Sequence, residues 1–513
     1  MVWQRIVADL ETPVSAYLKL TEAPAPADKP TEQSEPTTHK PATTLSFLLE
    51  SVEGGANRGR YSIIGTNPDV VWRARGNVAE INREVATDPT AYVTAEGDTL
   101  QSLRAFLAES HLATPEGLPP MVAGVFGHMG YDTVRLVEHL PDMPPDDLGI
   151  PDGLLMRPTL MAIFDTVTDE ITIVTPVRPE ASVDAETAWT QALHRIETAL
   201  AQLEGPVPLD ALRRAPETIR FSEPRSNTSA AQYLDMVARA KDYIVAGDAF
   251  QIVLSQRFTT PFALPSIALY RALRRTNPSP FLFHLDFGDY ALVGSSPEIL
   301  VRVRDGEVTI RPIAGTATRG ATVAEDQALA EALLEDPKER AEHLMLLDLG
   351  RNDVGRVSEI GSIDVTEQFT IERYSHVMHI VSNVIGRLRD DHDAIDALMA
   401  GFPAGTVSGA PKVRAMEIID ELEVSKRGAY AGCVGYFSAD GNMDTCIVLR
   451  TALVKDGEMH IQAGAGIVYD SIPENEQQEC VNKAKALVRA AEEAVRFAGG
   501  ETEIAGANKG VWG

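Results

Sequence analysis

The chain has 513 residues, 44% of them hydrophobic and 23% charged, a balance typical of a globular protein with a large core. Its 74 acidic residues outnumber its 46 lysines and arginines, so the formal charge of −28 argues against nucleic acid as a partner. It has three scattered cysteines and no apolar run of transmembrane or secretory type, which predicts a cytoplasmic protein without a membrane partner.

The N-terminal part, residues 1–215, is predicted to be one region interrupted by an insertion at 21–45. The insertion is rich in Pro, Thr and Ala, and it cannot bury enough apolar surface to offset chain entropy. Prolines at positions 206, 208, 216 and 224 mark the boundary to a second region at 225–498. Residues 499–513 are predicted to be a tail.

Three Asp-Gly pairs in the second region each separate two β-prone runs: Asp305-Gly306, Asp440-Gly441 and Asp456-Gly457. A type I′ turn needs positive φ at both central residues, which Asp and Gly tolerate. Each pair therefore predicts an antiparallel hairpin.

Helices are predicted between these strands. Thr228 is expected to cap a helix that Gly247 ends, and Pro337 and Pro473 each suit the first turn of a helix. The mixture predicts an α+β fold in which helices pack on antiparallel β-sheets.

Two glutamate pairs fall on the last two of these helices: Glu339 with Glu342, and Glu476 with Glu479. Residues three apart lie on one helix face, so each pair presents two neighbouring carboxylates. If the helices face each other, the four make an all-oxygen site of the kind that Mg²⁺ prefers. Solvated ExxE pairs are common, so the spacing alone leaves an ordinary surface role open.

Other polar residues also have ordinary explanations when taken singly. Lys483 can pair with Glu479 one turn away, and His379 stands in an apolar run where histidine is often a core residue. Arg450 ends a strand, and the small-residue turn at 463–468 exposes backbone amides that, with an arginine, would suit a carboxylate. The stretch 311–320, RPIAGTATRG, likewise sets small residues between two arginines.

Ten motifs nevertheless occur in a specific order: GDAFQIVLSQRF, SSPEILVRV, RPIAGTATRG, ERAEHLMLLDLGRNDVGRV, YSHVMHIVS, FPAGTVSGAPKVRAMEIIDELE, GAYAGCVGYF, DTCIVLRTA, QAGAGIVYDSIPENEQQE and NKAKAL. Together they resemble the chorismate-utilising enzymes, most closely the large synthase subunits (component I) of anthranilate synthases. The resemblance is dense over about residues 225–495, and LLESVEGGANRGRYSIIG extends it to 48–65. It implies the α/β sandwich of that family and an N-terminal regulatory region.

The resemblance also implies roles for the site residues. Glu342 and Glu479 would bind Mg²⁺ directly, Glu339 and Glu476 would act through water, and the ion would hold the ring carboxylate of chorismate. The substrate's other contacts, including those to its pyruvyl carboxylate, would come from Arg450, Tyr430, Gly315, Thr316, Gly464, Ala465, Gly466 and Lys483.

The catalytic positions implied by the resemblance are Glu298, His379, Gln251 and Thr406. Glu298 matches the general acid that protonates the departing C4 hydroxyl, and His379 matches a histidine associated with loss of pyruvate. Related enzymes carry a reactive lysine at the position of Ala314 or at that of Gln251. Because this chain has neither lysine, ammonia is the expected nucleophile at C2.

A partner and an inhibitor follow from the same resemblance. None of the three cysteines lies in a glutaminase-like turn, so ammonia would come from a glutamine amidotransferase subunit (component II) in a hetero-oligomer. L-tryptophan would bind where the segment 48–51 meets the segment 277–285, in a pocket comprising Leu49, Glu50, Ser51, Pro280, Phe281, Leu282, Tyr436 and Cys446.

The implied reaction converts chorismate and ammonia to anthranilate and pyruvate through 2-amino-2-deoxyisochorismate, the first committed step of tryptophan biosynthesis. Two alternatives remain open: an enzyme of the same fold that stops at the amino intermediate, and a non-catalytic amino-acid sensor. A sensor would have no need of five residues together: Glu298, Glu342, His379, Arg450 and Glu479.

Overall fold

The computed structural model describes residues 1–22, 45–53, 57–179, 182–209, 222–374 and 377–499. Most of the predicted insertion at 21–45, the boundary residues 210–221 and nearly all of the tail at 499–513 lie outside the described residues. In the described part of the chain, no helix has the length and apolar character needed to cross a membrane.

Ten α-helices are formed by the described residues: α1 Pro13–Glu22, α2 Thr99–Ser110, α3 Ala185–Glu204, α4 Ala230–Ala246, α5 Ser266–Thr276, α6 Val323–Glu335, α7 Pro337–Val357, α8 Ala394–Gly401, α9 Lys412–Leu422 and α10 Pro473–Phe497. Short 3₁₀ turns lie at Tyr131–Leu136 and Gly405–Val407.

The same residues form twenty-two strands: β1 Val2–Val7, β2 Ser46–Glu53, β3 Asn57–Arg75, β4 Val78–Asn82, β5 Tyr92–Thr94, β6 Gly124–Met129, β7 Gly153–Asp165, β8 Glu170–Thr175, β9 Arg225–Ser226, β10 Gln251–Pro261, β11 Phe281–Asp286, β12 Tyr290–Ser296, β13 Ile299–Arg304, β14 Glu307–Ile310, β15 Ile313–Thr318, β16 Asp364–Arg373, β17 Val377–Arg387, β18 Gly409–Ala410, β19 Cys433–Ser438, β20 Met443–Ile447, β21 Thr451–Lys455 and β22 Glu458–Ile467.

Strands from the two predicted regions hydrogen-bond to one another. Strand β2 pairs with β3 on one side and with β11 on the other, and β6 pairs with β7 and with β19. These pairings are antiparallel, as are those of β10 with β22 and of β16 with β17. The N-terminal strands therefore continue the sheets of the second region.

An apolar core lies between sheet strands of the two regions. Phe47 and Phe126 stack with ring centroids 4.5 Å apart, and the same core contains Phe283 and Leu292 from β11 and β12. Helices cover the strands, with α10 packed on α5 and β22 and α7 packed on β15 and β17. This architecture confirms the predicted α+β fold of antiparallel sheets and packed helices.

The three predicted hairpins are confirmed, although one differs in its turn. Positive φ occurs at both residues of Asp305-Gly306 and of Asp456-Gly457, as a two-residue type I′ turn requires. Between β19 and β20 only Gly441 has positive φ, because the loop there is four residues long, 439–442.

The predicted helix boundaries are confirmed except for one cap. The side chain of Ser229, not Thr228, caps α4 by accepting a hydrogen bond from the Gln232 amide, and Gly247 ends the helix in a left-handed conformation. Pro337 and Pro473 each open a helix as predicted, so both glutamate pairs lie near helix N-termini.

Candidate active site

The two glutamate pairs lie near the N-termini of α7 and α10, and Glu479 of α10 is close enough to Glu339 of α7 to affect its pKa. Burial raises the pKa of Glu339, and the nearby carboxylates of Glu342 and Glu479 raise it further. Burial likewise raises the pKa of Glu476, and Glu479 adds to the effect. Glu339 thus has Glu342 and Glu479 nearby, and Glu476 has Glu479 nearby, while the arrangement of all four around one ion stays a prediction.

The donor set suits a hard cation, although two of its members have protein partners. Among the described residues no group of three or more His, Cys, Asp or Glu side chains is arranged to hold an ion. Lys483 pairs with Glu479 at 2.7 Å, and Gln251 Nε2 donates to Glu342 Oε1 at 3.2 Å. An ion between the helices would relieve the repulsion and displace these two contacts, so the residues fit a divalent cation chemically.

The predicted general acid, Glu298, lies between β12 and β13 and is only 6% exposed. Burial raises its pKa to about 8, opposed by the hydroxyl of Thr406, the amide of Ile313 and the charge of Arg450. Thr406 Oγ1 donates to the two carboxyl oxygens at 3.3 and 3.2 Å. The carboxyl is therefore protonated near neutral pH, as an acid must be.

His379, on β17, is buried beside β15, which lies within the stretch 311–320. Its Nδ1 lies 2.8 Å from the carbonyl oxygen of Gly315 and 3.2 Å from Thr316 Oγ1. A carbonyl can only accept, so Nδ1 carries the proton and Nε2 keeps its lone pair. Burial lowers the pKa of His379, which leaves the ring neutral and Nε2 able to take a proton.

Strand β15, which carries Gly315, comes close to α7. Gly315 has φ +65°, and a Cβ added there would lie 3.0 Å from Glu339 Oε2. Ala314, the residue before it, is 9% exposed and pairs with Ile380 of β17. The small residues of RPIAGTATRG therefore let β15 approach the glutamates closely.

Arg450 provides a cationic group near Glu298. Burial lowers the pKa of its guanidinium, while the nearby Tyr374 and Glu298 raise it. No described residue forms an ion pair or a side-chain hydrogen bond with Arg450. A buried guanidinium that has no side-chain partner among the described residues is suited to bind the carboxylate of a ligand.

Tyr430 and β22 form the neighbouring wall. Tyr430 is 8% exposed, and a Cβ added at Gly464 would lie 2.9 Å from its hydroxyl. Lys483 Nζ donates to the Gly464 carbonyl at 2.8 Å, and a Cβ at Gly466 would lie 2.5 Å from Gln251 Nε2. The segment containing Gly464, Ala465 and Gly466 thus has room only for small residues beside these side chains.

A separate space adjoins Pro297 and Ile299, the two residues that flank Glu298 in sequence. It is a cavity of about 990 Å³, and all eight residues of the predicted tryptophan pocket line it: Leu49, Glu50, Ser51, Pro280, Phe281, Leu282, Tyr436 and Cys446. Strand pairing brings them together, with Ser51 opposite Phe281 and Glu50 opposite Leu282. The Glu50 carboxylate is already bound, by Arg274 at 2.6 Å and by the Tyr270 hydroxyl at 2.5 Å.

Sequence reasoning missed three residues beside these groups. The Tyr374 ring lies edge-on to the His379 ring at 5.5 Å, and its hydroxyl donates to Glu372. Arg427 and Glu423 form a buried ion pair next to Tyr430. Tyr374 directly follows β16 and stands five residues before His379, and this proximity in sequence was the one available signal.

Comparison with known proteins gives consistent matches. The model of the chorismate binding enzyme family matches residues 52–489. Anthranilate synthase component 1 of Cereibacter sphaeroides is 55% identical over 97% of this chain and 95% of its own length. The protein of the same name from Pseudomonas putida is 47% identical over 94% of this chain and 93% of its own length.

Solved structures agree with these matches. The crystal structure of anthranilate synthase component I from Streptococcus pneumoniae has a TM-score of 0.75 and 36% identity, covering 94% of this chain and 99% of that one. The menaquinone-specific isochorismate synthase of Escherichia coli, at 20% identity and a TM-score of 0.67, shares the fold. With the family model spanning most of its length and relatives aligned almost end to end, this chain belongs to the chorismate binding enzyme family, in the group of anthranilate synthase component 1 proteins.

Proposed function

We propose that this chain is the synthase subunit of an anthranilate synthase, which converts chorismate and ammonia to anthranilate and pyruvate. The observation that carries the proposal is that Glu298, which keeps its proton, and His379, which stays neutral, both lie near Arg450, whose guanidinium has no side-chain partner among the described residues. An acid, a base and a carboxylate-binding cation are the groups that the reaction needs.

Substrate binding uses two anion-binding elements inside an acidic protein. Arg450 and the Tyr430 hydroxyl, with backbone amides near Gly464, hold the pyruvyl carboxylate of chorismate. Enzymes of this family need a metal, and we propose Mg²⁺, held by Glu342 and Glu479 with Glu339 and Glu476 acting through water. When bound, the ion neutralises the ring carboxylate next to the four glutamates.

The first step is ammonia addition. Ammonia attacks C2, the two ring double bonds shift to C1=C6 and C4=C5, and the C4–O bond breaks as Glu298 donates its proton so that the hydroxyl leaves as water. The new ammonium group then loses a proton to give the amine. Gln251 is 4% exposed, and its Oε1 accepts no hydrogen bond from any described residue. That oxygen is therefore available to accept an N–H from ammonia and to orient its lone pair towards C2.

The second step is loss of pyruvate. Nε2 of His379 takes the C2 proton, the C3–O bond breaks, and the ring becomes aromatic as enolpyruvate leaves and forms pyruvate. The Nδ1–H bond to Gly315 fixes the ring orientation for this transfer.

A related activity would end after the first step, at 2-amino-2-deoxyisochorismate. Chorismate supplied with ammonium and Mg²⁺ distinguishes the two, by assaying aromatic product and pyruvate together. We expect equal amounts of anthranilate and pyruvate. A non-aromatic amino acid accumulating without pyruvate would favour the shorter reaction, and no turnover at all would favour a sensor.

We further propose a glutamine amidotransferase subunit as the ammonia source, because the three cysteines Cys433, Cys446 and Cys480 are buried and free. Burial raises the pKa of each thiol, so none has the character of a nucleophile. Free thiols are also typical of cytoplasmic proteins, and we propose that this protein is cytoplasmic.

L-tryptophan is proposed to bind in the cavity at β2 and β11 as a feedback inhibitor.

A further inference from the structure

Arg427 and Glu423 form a buried ion pair that the proposed chemistry leaves unused. Both lie where the chain leaves α9 for β19, and they are 3% and 7% exposed. Nε of Arg427 donates to Glu423 Oε2 at 2.9 Å, and Nη2 donates to Oε1. Removing two charges from water is costly, so the pair persists only with further polar contacts.

The remaining contacts of the guanidinium reach three separate segments. Nη1 donates to the Val407 carbonyl at 2.7 Å, and Nη2 donates to the Val253 carbonyl at 2.7 Å. The guanidinium carbon lies 4.7 Å from the centroid of the Tyr131 ring and 5.6 Å from that of Tyr430. The guanidinium of Arg427 thus contacts β10, both 3₁₀ turns (Tyr131–Leu136 and Gly405–Val407) and the loop before β19.

Each of those segments carries a residue of the proposed site. Val253 follows Gln251 by two residues on β10, and Val407 directly follows Thr406, which holds Glu298. Tyr430 is itself the third residue. Arg427 contacts none of the reacting atoms. It lies beside the segments that carry Thr406, Gln251 and Tyr430, which are proposed to hold the acid, the nucleophile and the substrate carboxylate.

The carboxylate of Glu423 extends the network to β22. Its Oε1 accepts hydrogen bonds from the Ser255 amide and from Ser255 Oγ, both at 2.8 Å. Ser255 pairs with Gly464 in the sheet, and Gln462 Nε2 donates to its hydroxyl at 2.8 Å. The same ion pair therefore also fixes β10 where it adjoins the small-residue segment of β22.

We propose that Arg427, held by Glu423, is a positioning residue that sets Tyr430 and the Thr406 turn for chorismate binding. The inference rests on the proposed function. Its basis is the planar fork, which directs separate N–H groups at Glu423, Val253 and Val407 at once. Lysine keeps the charge but places three donors on one atom, so it cannot reproduce this arrangement.

The test compares Arg427→Lys with a matched control, Arg135→Lys. Arg135 also joins buried carboxylates, Asp132 and Asp420, and also donates to backbone carbonyls, but it contacts none of the site residues named above. For each variant the measurements are thermal unfolding, kcat, KM for chorismate and KM for ammonium.

Arg427→Lys is expected to raise KM for chorismate about tenfold, the scale of one misplaced polar contact, and to leave KM for ammonium within about twofold. Arg135→Lys is expected to lower the unfolding temperature while both KM values stay at the wild-type level. If Arg427→Lys does not fold, Glu423→Gln, which keeps the shape and removes the charge, is expected to give the same rise.

A folded Arg427→Lys or Glu423→Gln with wild-type KM for chorismate, and with kcat reduced only in proportion to folded protein, would overturn the positioning role. Absence of chorismate turnover in the wild type would instead overturn the proposed function, and this inference with it.

Discussion

Glu298 is a carboxyl whose burial makes it an acid at neutral pH. Its pKa of about 8 and the lowered pKa of His379 predict a bell-shaped dependence of kcat/KM on pH. Activity should fall above about pH 8 as Glu298 loses its proton, and below the ordinary histidine range as His379 gains one. A rate that stays constant from pH 7 to pH 10 would contradict the role of Glu298.

The same residue links stability to pH. Between about pH 4.5 and pH 8 the folded state keeps a proton on Glu298 that the unfolded chain has lost. The free energy of unfolding of the wild type should therefore fall with rising pH relative to Glu298→Gln, which cannot ionise. Parallel denaturant titrations at pH 5 and pH 8 measure this difference, and the variant should also lose at least about 100-fold in kcat.

We propose that Ala314 leaves space for the nucleophile. Ala314→Lys should place a long cationic side chain beside Gly315 and His379 and reduce ammonia-dependent anthranilate formation at least about 100-fold. Thr318→Lys, at the exposed end of the same strand, is the control and should keep most activity. Equal activity in both variants would contradict the assignment of this space.

At the scale of elements, the proposed metal site depends on α7 and α10 facing each other. Glu342→Gln or Glu479→Gln should raise the Mg²⁺ concentration for half-maximal activity at least about tenfold, because a charge-assisted contact is worth roughly 1.5–3 kcal/mol. Glu339→Gln and Glu476→Gln should have smaller effects. The control is Glu474→Gln, on an exposed position in the first turn of α10. Unchanged Mg²⁺ dependence at Glu342 and Glu479 would exclude them as ligands.

Local sequence signals predicted most elements but not how they meet. Asp-Gly pairs and first-turn prolines act within a few residues, so the hairpins and the starts of α7 and α10 followed from the sequence. The predicted cap of α4 was wrong by one residue, because the hydroxyls of Thr228 and Ser229 are both able to accept a hydrogen bond from a first-turn amide. The contacts of Thr406 with Glu298 and of Arg427 with Val253 join residues far apart in sequence, and no local pattern encodes them.

At the scale of the whole molecule, the proposed inhibitor cavity adjoins the segment that carries the proposed general acid, Glu298. Pro297 and Ile299 both line the cavity and flank Glu298 in sequence. A ligand that shifts this segment would alter Glu298 without touching chorismate, with coupling of about 1–3 kcal/mol. By linkage, chorismate should weaken tryptophan binding by the same factor.

Ser51→Arg should abolish tryptophan inhibition and keep most uninhibited activity, because the side chain adds bulk and charge to the cavity. Ser51→Ala, which leaves the cavity open, is the control and should remain inhibited. Tryptophan titrations of initial rate compare the two. Inhibition of Ser51→Arg at the wild-type concentration would reject this cavity as the binding site.

The central claim is that one site in this chain joins ammonia to chorismate and then releases pyruvate. The most direct measurement incubates the purified chain with chorismate, Mg²⁺ and ¹⁵N-ammonium and examines the products by mass spectrometry. The account predicts anthranilate carrying one ¹⁵N and one pyruvate for each anthranilate, with no product when ¹⁵N-labelled glutamine replaces ammonium. Unlabelled anthranilate, or chorismate left unconverted, would contradict it.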